Sequence, residues 1–220
     1  MIYQVRLLNG LFHPNGNSYR LKQAEEVVRF GPNLLVLYVL SIIIFGISAY
    51  FGIGSESISG EVTKLNEAAF ESGKLLVIAG ELIAGLLFPS IFLFLSSVIF
   101  WIFTDTNYLR IVIVQMIVFV IALFEKAVSI PLFVLMDINQ SSNPFSLGVI
   151  SQHLISNEFF IRFFGEITLF QLVIILFQYY YLRKLSETNK YLIMLAIGLF
   201  YIASWFAAAL LSYIKVSVFF

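Results

Sequence analysis

The amino-acid sequence predicts an all-α membrane protein, a five-span transmembrane helical bundle with an N-terminal amphipathic segment. Three observations carry that reading. The 220-residue chain is 60% hydrophobic and 17% aromatic but only 12% charged, against roughly 25% charged residues in ordinary soluble domains. Two long apolar runs, Leu75–Phe103 and Leu109–Met136, are each longer than the roughly 20 residues that cross a bilayer. Only the polar patch Thr104-Asp105-Thr106-Asn107-Tyr108 separates them, so the two helices must turn back on each other. Trp101 and Tyr108 then fall where aromatic rings prefer the water boundary.

Taken in order, residues 1–32 form a cytoplasmic amphipathic lead with no early apolar core of the kind a cleaved signal peptide requires. Leu21, Ala24 and Val28 recur at helical spacing, with Arg20, Lys22, Gln23, Glu25, Glu26 and Arg29 on the other face. The pattern suits a short helix on the membrane surface, bounded by His13-Pro14-Asn15-Gly16 and Gly31-Pro32, or a solvated linker. Residues 33–220 form the membrane domain. Its first span is Asn33–Gly52. Ile53–Lys74 follows as an amphipathic helix on the opposite membrane surface, with Ile58, Val62, Leu65 and Ala69 on one face. The second span, Leu75–Phe103, is interrupted by Pro89 and the third, Leu109–Met136, by Pro131, so tilt or a kink is expected. Asp137–Arg162 is polar around Asn143-Pro144 and more apolar over Leu147–Phe160. Phe163–Leu182 and Tyr191–Tyr213 are the fourth and fifth spans, joined by the short link Arg183–Lys190.

Orientation follows from the basic residues, which accumulate on the cytoplasmic side of membrane proteins. With the N-terminus inside, Arg6, Arg20, Lys22, Arg29, Arg110, Arg183, Lys184 and Lys190 are cytoplasmic. Lys64, Lys74, Arg162 and Lys215 are external, and Lys126 lies within a span. The N-terminus is therefore expected in the cytoplasm and the C-terminus outside, in the cytoplasmic membrane.

The composition removes several functions. Thirteen basic and thirteen acidic residues balance, so nothing favours nucleic acid, and the absence of cysteine removes thiolate chemistry and disulfides. No Walker-type glycine loop, HExxH, nucleophile elbow or calcium loop occurs, so no catalytic, cofactor or metal residue is assigned. His13 and His153 fall on opposite sides of the membrane and read as surface residues. Asn139-Gln140-Ser141 matches a glycosylation acceptor, a pattern too short to mean anything by itself.

What remains is the small set of ionisable groups inside spans: Glu125 and Lys126 in span three, Glu166 in span four, and Glu81 in span two. Charge at bilayer depth is disfavoured unless paired or hydrated, so each is a candidate functional residue. Counted from the inner boundary, Glu125 lies about 24 Å deep and Lys126 and Glu166 about 26 Å, a shared polar layer. Glu81 falls about 34 Å deep, nearer the outer surface. Lys126 is the natural counter-ion of Glu166. A structural ion pair, snorkelling to outer headgroups and a proton or cation site all remain open. Small residues four apart, Gly80 with Ala84, Ala203 with Ala207, and Ser204 with Ala208 and Ser212, mark expected helix contacts.

Several features together resemble the bacterial branch of the Yip domain family. They are the lead Leu11-Phe12-His13-Pro14, the short turn between spans two and three, Ser129-Ile130-Pro131, the stretch Asn143–Leu147, and Gly165-Glu166-Ile167-Thr168-Leu169-Phe170. Where family members often carry an Asp before the Phe of span four and a Trp after it, this chain has Glu166 and Gln171-Leu172. The resemblance implies a five-helix bundle without catalytic residues that acts through partners. It further implies a non-enzymatic scaffold or accessory subunit that assembles or regulates a membrane complex such as an ABC-type exporter, with the lipid bilayer and other membrane proteins, ABC transporter subunits among them, as partners. A small ion-coupled permease using the intramembrane acids is the alternative.

Overall fold

An apolar chain in lipid must satisfy its backbone internally, and this one does so almost entirely with helices. The computed structural model describes residues 1–53, 67–138 and 142–213. In chain order these comprise β1 (Ile2–Gln4), α1 (Leu7–Phe12), α2 (Pro14–Lys22), β2 (Glu26–Val28), α3 (Phe30–Tyr50), α4 (Glu67–Ser90), a π-helical turn (Ile91–Leu95), and α5 (Ser96–Phe103). They continue with α6 (Tyr108–Met136), α7 (Gly148–Leu154), α8 (Glu158–Gly165), α9 (Leu169–Leu185) and α10 (Lys190–Tyr213).

Among the described residues four stretches are long and apolar enough to cross a membrane: Phe30–Tyr50, Leu75–Phe103, Tyr108–Met136 and Lys190–Ser212. The third is the axis of the bundle, since 61% of its most apolar window is buried against 17% for the first. It packs against α1, α3, α5 and α9. On its α4 side Phe119 meets Phe88 and Phe92 at centroid distances of 5.4 and 5.0 Å, an aromatic cluster of the kind that adds to simple burial.

The expected fourth span, residues 163–182, is not one helix. α8 ends at Gly165, and α9 begins only at Leu169, with Thr168 as its N-cap accepting from the Gln171 amide at 3.2 Å. A threonine hydroxyl satisfies an amide that a helix start leaves unpaired, so the chain can restart there at little cost. The freed backbone groups pair with the preceding loop. Leu147 N donates to Ile167 O at 2.9 Å and Leu169 N to Phe145 O at 3.0 Å.

The second span also differs from expectation. From Glu67 to Phe103 the chain is helical throughout, about 55 Å at 1.5 Å per residue and far longer than a bilayer core. The C-terminal part of the expected surface helix is thus the start of α4, while residues 54–66 of that reading lie outside the described residues. Pro89 does not end the helix. It is followed by the π turn, where Ser96 Oγ donates to Phe92 O and Ser97 Oγ to Leu93 O. These serine hydroxyls donate to carbonyls within the wide turn, where the helical ladder is displaced by one residue. Pro131 lies within an unbroken α6.

The lead is more structured than a surface helix. Pro14 opens α2 at its first turn, where its missing N–H costs nothing. Glu26–Val28 is not helical but pairs in parallel with Ile2–Gln4, which takes Val28 off the Leu21 and Ala24 face. Gly31 and Pro32 lie inside the first turn of α3 rather than before it. The lead docks on the bundle at the end carrying the 104–107 turn. Tyr181 Oη donates to Gly10 O at 2.7 Å, Asn17 Nδ2 donates to Tyr181 Oη at 3.1 Å, and Tyr3 Oη donates to Asn17 Oδ1 at 2.9 Å. Tyr3, Asn17 and Tyr181 are all buried. At the same end Asp105 accepts from Ser186 Oγ and from the Glu187 amide at 3.2 Å, clasping the two short turns together. The Ser186 hydroxyl bond holds the Asp105 carboxyl below its usual value.

Candidate functional site: a polar cavity beside the helix break

Gln115 Oε1 on α6 accepts from Gln178 Nε2 on α9 at 2.7 Å, deep in the bundle. The helices run antiparallel, so the same register brings Glu125 opposite Thr168, the N-cap of α9. α9 therefore stops at the level of Glu125. Beyond this point α6 faces the loop and α8 instead of a continuous helix. The result is a cavity of about 1000 Å³ bordered by α4, α6, α8, the 165–168 break and α10.

Glu125, Lys126 and Glu166 all line it, so the three residues expected to form one layer do meet around one space. Their partners differ from the expected ones. Lys126 Nζ lies 3.6 Å above the Phe45 ring on α3, and the carboxylates acting on it are Glu81 first and Glu125 second. Such a cation over an aromatic face is worth more when water is excluded. Glu81 on α4 bears on Lys126 electrostatically without forming an ion pair, and its Oε2 is buried without a hydrogen bond. Among the described residues Glu166 makes no side-chain hydrogen bond or ion pair, although it stands at the break.

Two charged residues of the wall were not singled out in the sequence. Arg162 Nη2 meets Glu158 Oε1 at 2.6 Å, and Arg162 Nη1 donates to Ser212 Oγ at 2.7 Å and Ser212 O at 3.0 Å. This tethers α8 to α10. The i,i+4 spacing of Glu158 and Arg162 was a visible signal, but a non-membrane reading of the segment hid its relation to the spans. Gln171 and Trp205 complete the wall, with Trp205 Nε1 donating to Gln171 Oε1 at 2.5 Å.

Of the small residues, Ser204, Ala208 and Ser212 line the cavity. Ala203 and Ala207 are exposed on the outer side of α10, and Ala84 is half-buried. Gly80 is exposed, and a Cβ there would meet nothing within 4 Å. The close approach of α3 and α4 sits at Gly85 instead, where a Cβ would come within 3.1 Å of the Ile42 Cα. His13 and His153 are exposed at opposite ends of the bundle. Asn139-Gln140-Ser141 lies outside the described residues.

No family model, no curated protein and no solved structure matches the chain. Its chemistry is therefore read from its own residues. Among the described residues no three His, Cys, Asp or Glu side chains lie together as a metal-binding group. What the cavity offers is carboxylate, amide and aromatic surface, an arrangement suited to holding a ligand.

Proposed function

We propose that this chain is a non-enzymatic five-span protein of the cytoplasmic membrane that assembles or regulates a membrane complex, with an ABC-type exporter as the partner. In this reading α8 and α9 together make the fourth crossing, with the break at residues 166–168 near the outer boundary, the N-terminus inside and the C-terminus outside. The observation that carries it is the outward placement of Gly80, Ala203 and Ala207, which are exposed rather than used to pack the chain's own helices. In lipid, helices associate by close backbone approach, and small residues permit it. The resemblance to Yip domain proteins points the same way.

Purification from its host membrane in mild detergent, followed by mass spectrometry of co-eluting proteins, tests the reading. A stable ATPase or permease subunit that is lost with Ala203→Leu and Ala207→Leu supports it. Elution of the protein alone, unchanged by those substitutions, refutes it. Reporter fusions test the topology: one after Arg183 should read cytoplasmic and one after Phe220 external. A second reading, a small ion-coupled carrier, is favoured by the charged cavity. Solute flux by the isolated protein in liposomes would establish that alternative.

A further inference from the structure

We infer that the N-terminal lead is a lipid-binding element. α1 lies at the edge of the acyl layer at the turn end of the bundle, with Leu8 and Phe12 against lipid chains. The last turn of α2 carries Arg20 and Lys22 to the phosphates of the headgroup layer. The inference does not depend on the partner proposed above, since it concerns only how the lead meets the bilayer.

The first observation is depth. Gly10 of α1 sits so close to α6 that a Cβ would come within 2.8 Å of Ile117, and Tyr181 on α9 holds the Gly10 carbonyl. At the helical rise, Ile117 lies about 10 Å along α6 beyond Arg110. Arg110, Arg183 and Lys184 mark the basic boundary of the spans at this end. Lys190 opens α10 at the same end, and within two turns of it Leu192, Met194 and Leu195 are already exposed. The apolar outer surface of the bundle has therefore begun at the level of α1. Interfacial helices sit at just such a level, about 5 to 10 Å into the boundary between headgroups and acyl chains.

The second observation is that α1 is apolar on both sides. Leu7 and Leu11 pack on the core, whereas Leu8 and Phe12, one turn apart, are 62% and 76% exposed. Asn9 is the only polar side chain of the helix. A helix apolar all round belongs between protein and lipid rather than between protein and water. Leu21 and Ala24, the stripe expected to lie on the membrane, are instead buried on the bundle.

The third is where the charge falls. Arg110 Nη2 donates to Ala24 O at 2.9 Å, and Lys22 Nζ reaches Glu187 at 3.6 Å. The end of α2 therefore stands at the basic boundary, shallower than Gly10. Arg20 and Lys22 are exposed there, and guanidinium and ammonium groups at that level meet lipid phosphate. An apolar patch alone would not name its occupant; its depth, with a basic edge one level above it, names a phospholipid.

The chain has no cysteine, so a nitroxide can be set at one position at a time in the full chain, in phosphatidylglycerol nanodiscs. Collisions with oxygen, which concentrates among acyl chains, are compared with collisions with a neutral nickel chelate, which stays in water. Leu8→Cys and Phe12→Cys should each give an oxygen-to-nickel ratio several-fold above that of Glu187→Cys, whose native side chain is 82% exposed in the turn. Their ratio should match that of Leu199→Cys, on the exposed face of α10. Arg20→Cys should fall between the two standards. A ratio at Leu8 and Phe12 equal to that of Glu187→Cys would overturn the inference. Exclusion of both reagents from these two positions would overturn it as well, because protein rather than lipid would then cover the face.

Discussion

Tyr181→Phe should release the N-terminal lead from the bundle without unfolding the bundle. The change removes one oxygen that serves two bonds, the donation to Gly10 O at 2.7 Å and the acceptance from Asn17 Nδ2 at 3.1 Å. Both partners are buried, so each is left unsatisfied while the lead stays docked, at about 1 to 3 kcal/mol apiece. Undocking restores both to water. The docked state should therefore lose about 2 to 6 kcal/mol relative to the open one, a rise in the open population of about 30-fold or more. A thiol reports it directly. The chain has no cysteine, and Ser18→Cys is a near-isosteric replacement at a position 2% exposed in α2. Maleimide labelling of Ser18→Cys should be slow in the parent and faster by that factor in Tyr181→Phe. Tyr180→Phe, which loses only a more exposed bond to Asn15, should show a much smaller rise. Labelling indistinguishable from the parent in the Tyr181→Phe protein would refute the view that this hydroxyl holds the lead.

The remaining predictions concern the other joints of the fold. Gly148→Ala would place a Cβ 2.9 Å from the Gly165 Cα, forcing α7 and α8 apart; a loss of about 1 to 3 kcal/mol is expected by thermal unfolding in detergent. Gly16→Ala, within α2 with nothing within 4 Å of the new carbon, should be neutral or stabilising by about 0.5 to 1 kcal/mol. Asp105 has a lowered folded pKa, so its contribution is fully present above the unfolded value of about 4 and is lost as pH falls through the folded value. Asp105→Asn should therefore lower stability at neutral pH and flatten this acid dependence, measured as unfolding temperature against pH. Lys126→Met should lower abundance by depriving the buried Glu81 carboxylate of the positive charge that bears on it, and adding Glu81→Gln should restore much of it; equal loss in single and double variants would dismiss that coupling.

The all-helical membrane character and the hairpin at Thr104–Tyr108 were legible because apolar length and a polar turn are local signals. Four of the five expected spans match helices of crossing length within a few residues. The fourth does not, because hydropathy averages over Gly165-Glu166-Ile167-Thr168, where a glycine, an acid and a capping threonine stop and restart the helix. Counting rise per residue put Glu125, Lys126 and Glu166 at similar depths, and all three line one cavity. Which group each faces was not legible, since the partner of Lys126 depends on how α3 and α4 rotate about their axes. Phe45 and Glu81 stand there in place of Glu166. In the lead, helical spacing of Leu21, Ala24 and Val28 suggested one helix. A three-residue parallel pairing between chain segments far apart in sequence overrides so short a stripe.

The anchoring of the lead also fixes an order of events during synthesis. Its hydrogen bonds to Tyr181 join residues 164 and 171 positions apart, and Gly10 packs on Ile117. A ribosome making this protein releases the lead well before α9, yet the surface that receives it is completed only when α9 emerges. Until then Tyr3, Leu21 and Ala24 lack their burial site, and such exposed apolar surface is what chaperones and proteases recognise. Docking of the first thirty residues is thus a late closure, and a chain stopped before α9 would display the lead as a mark of incompleteness on the same face where the turn end meets water.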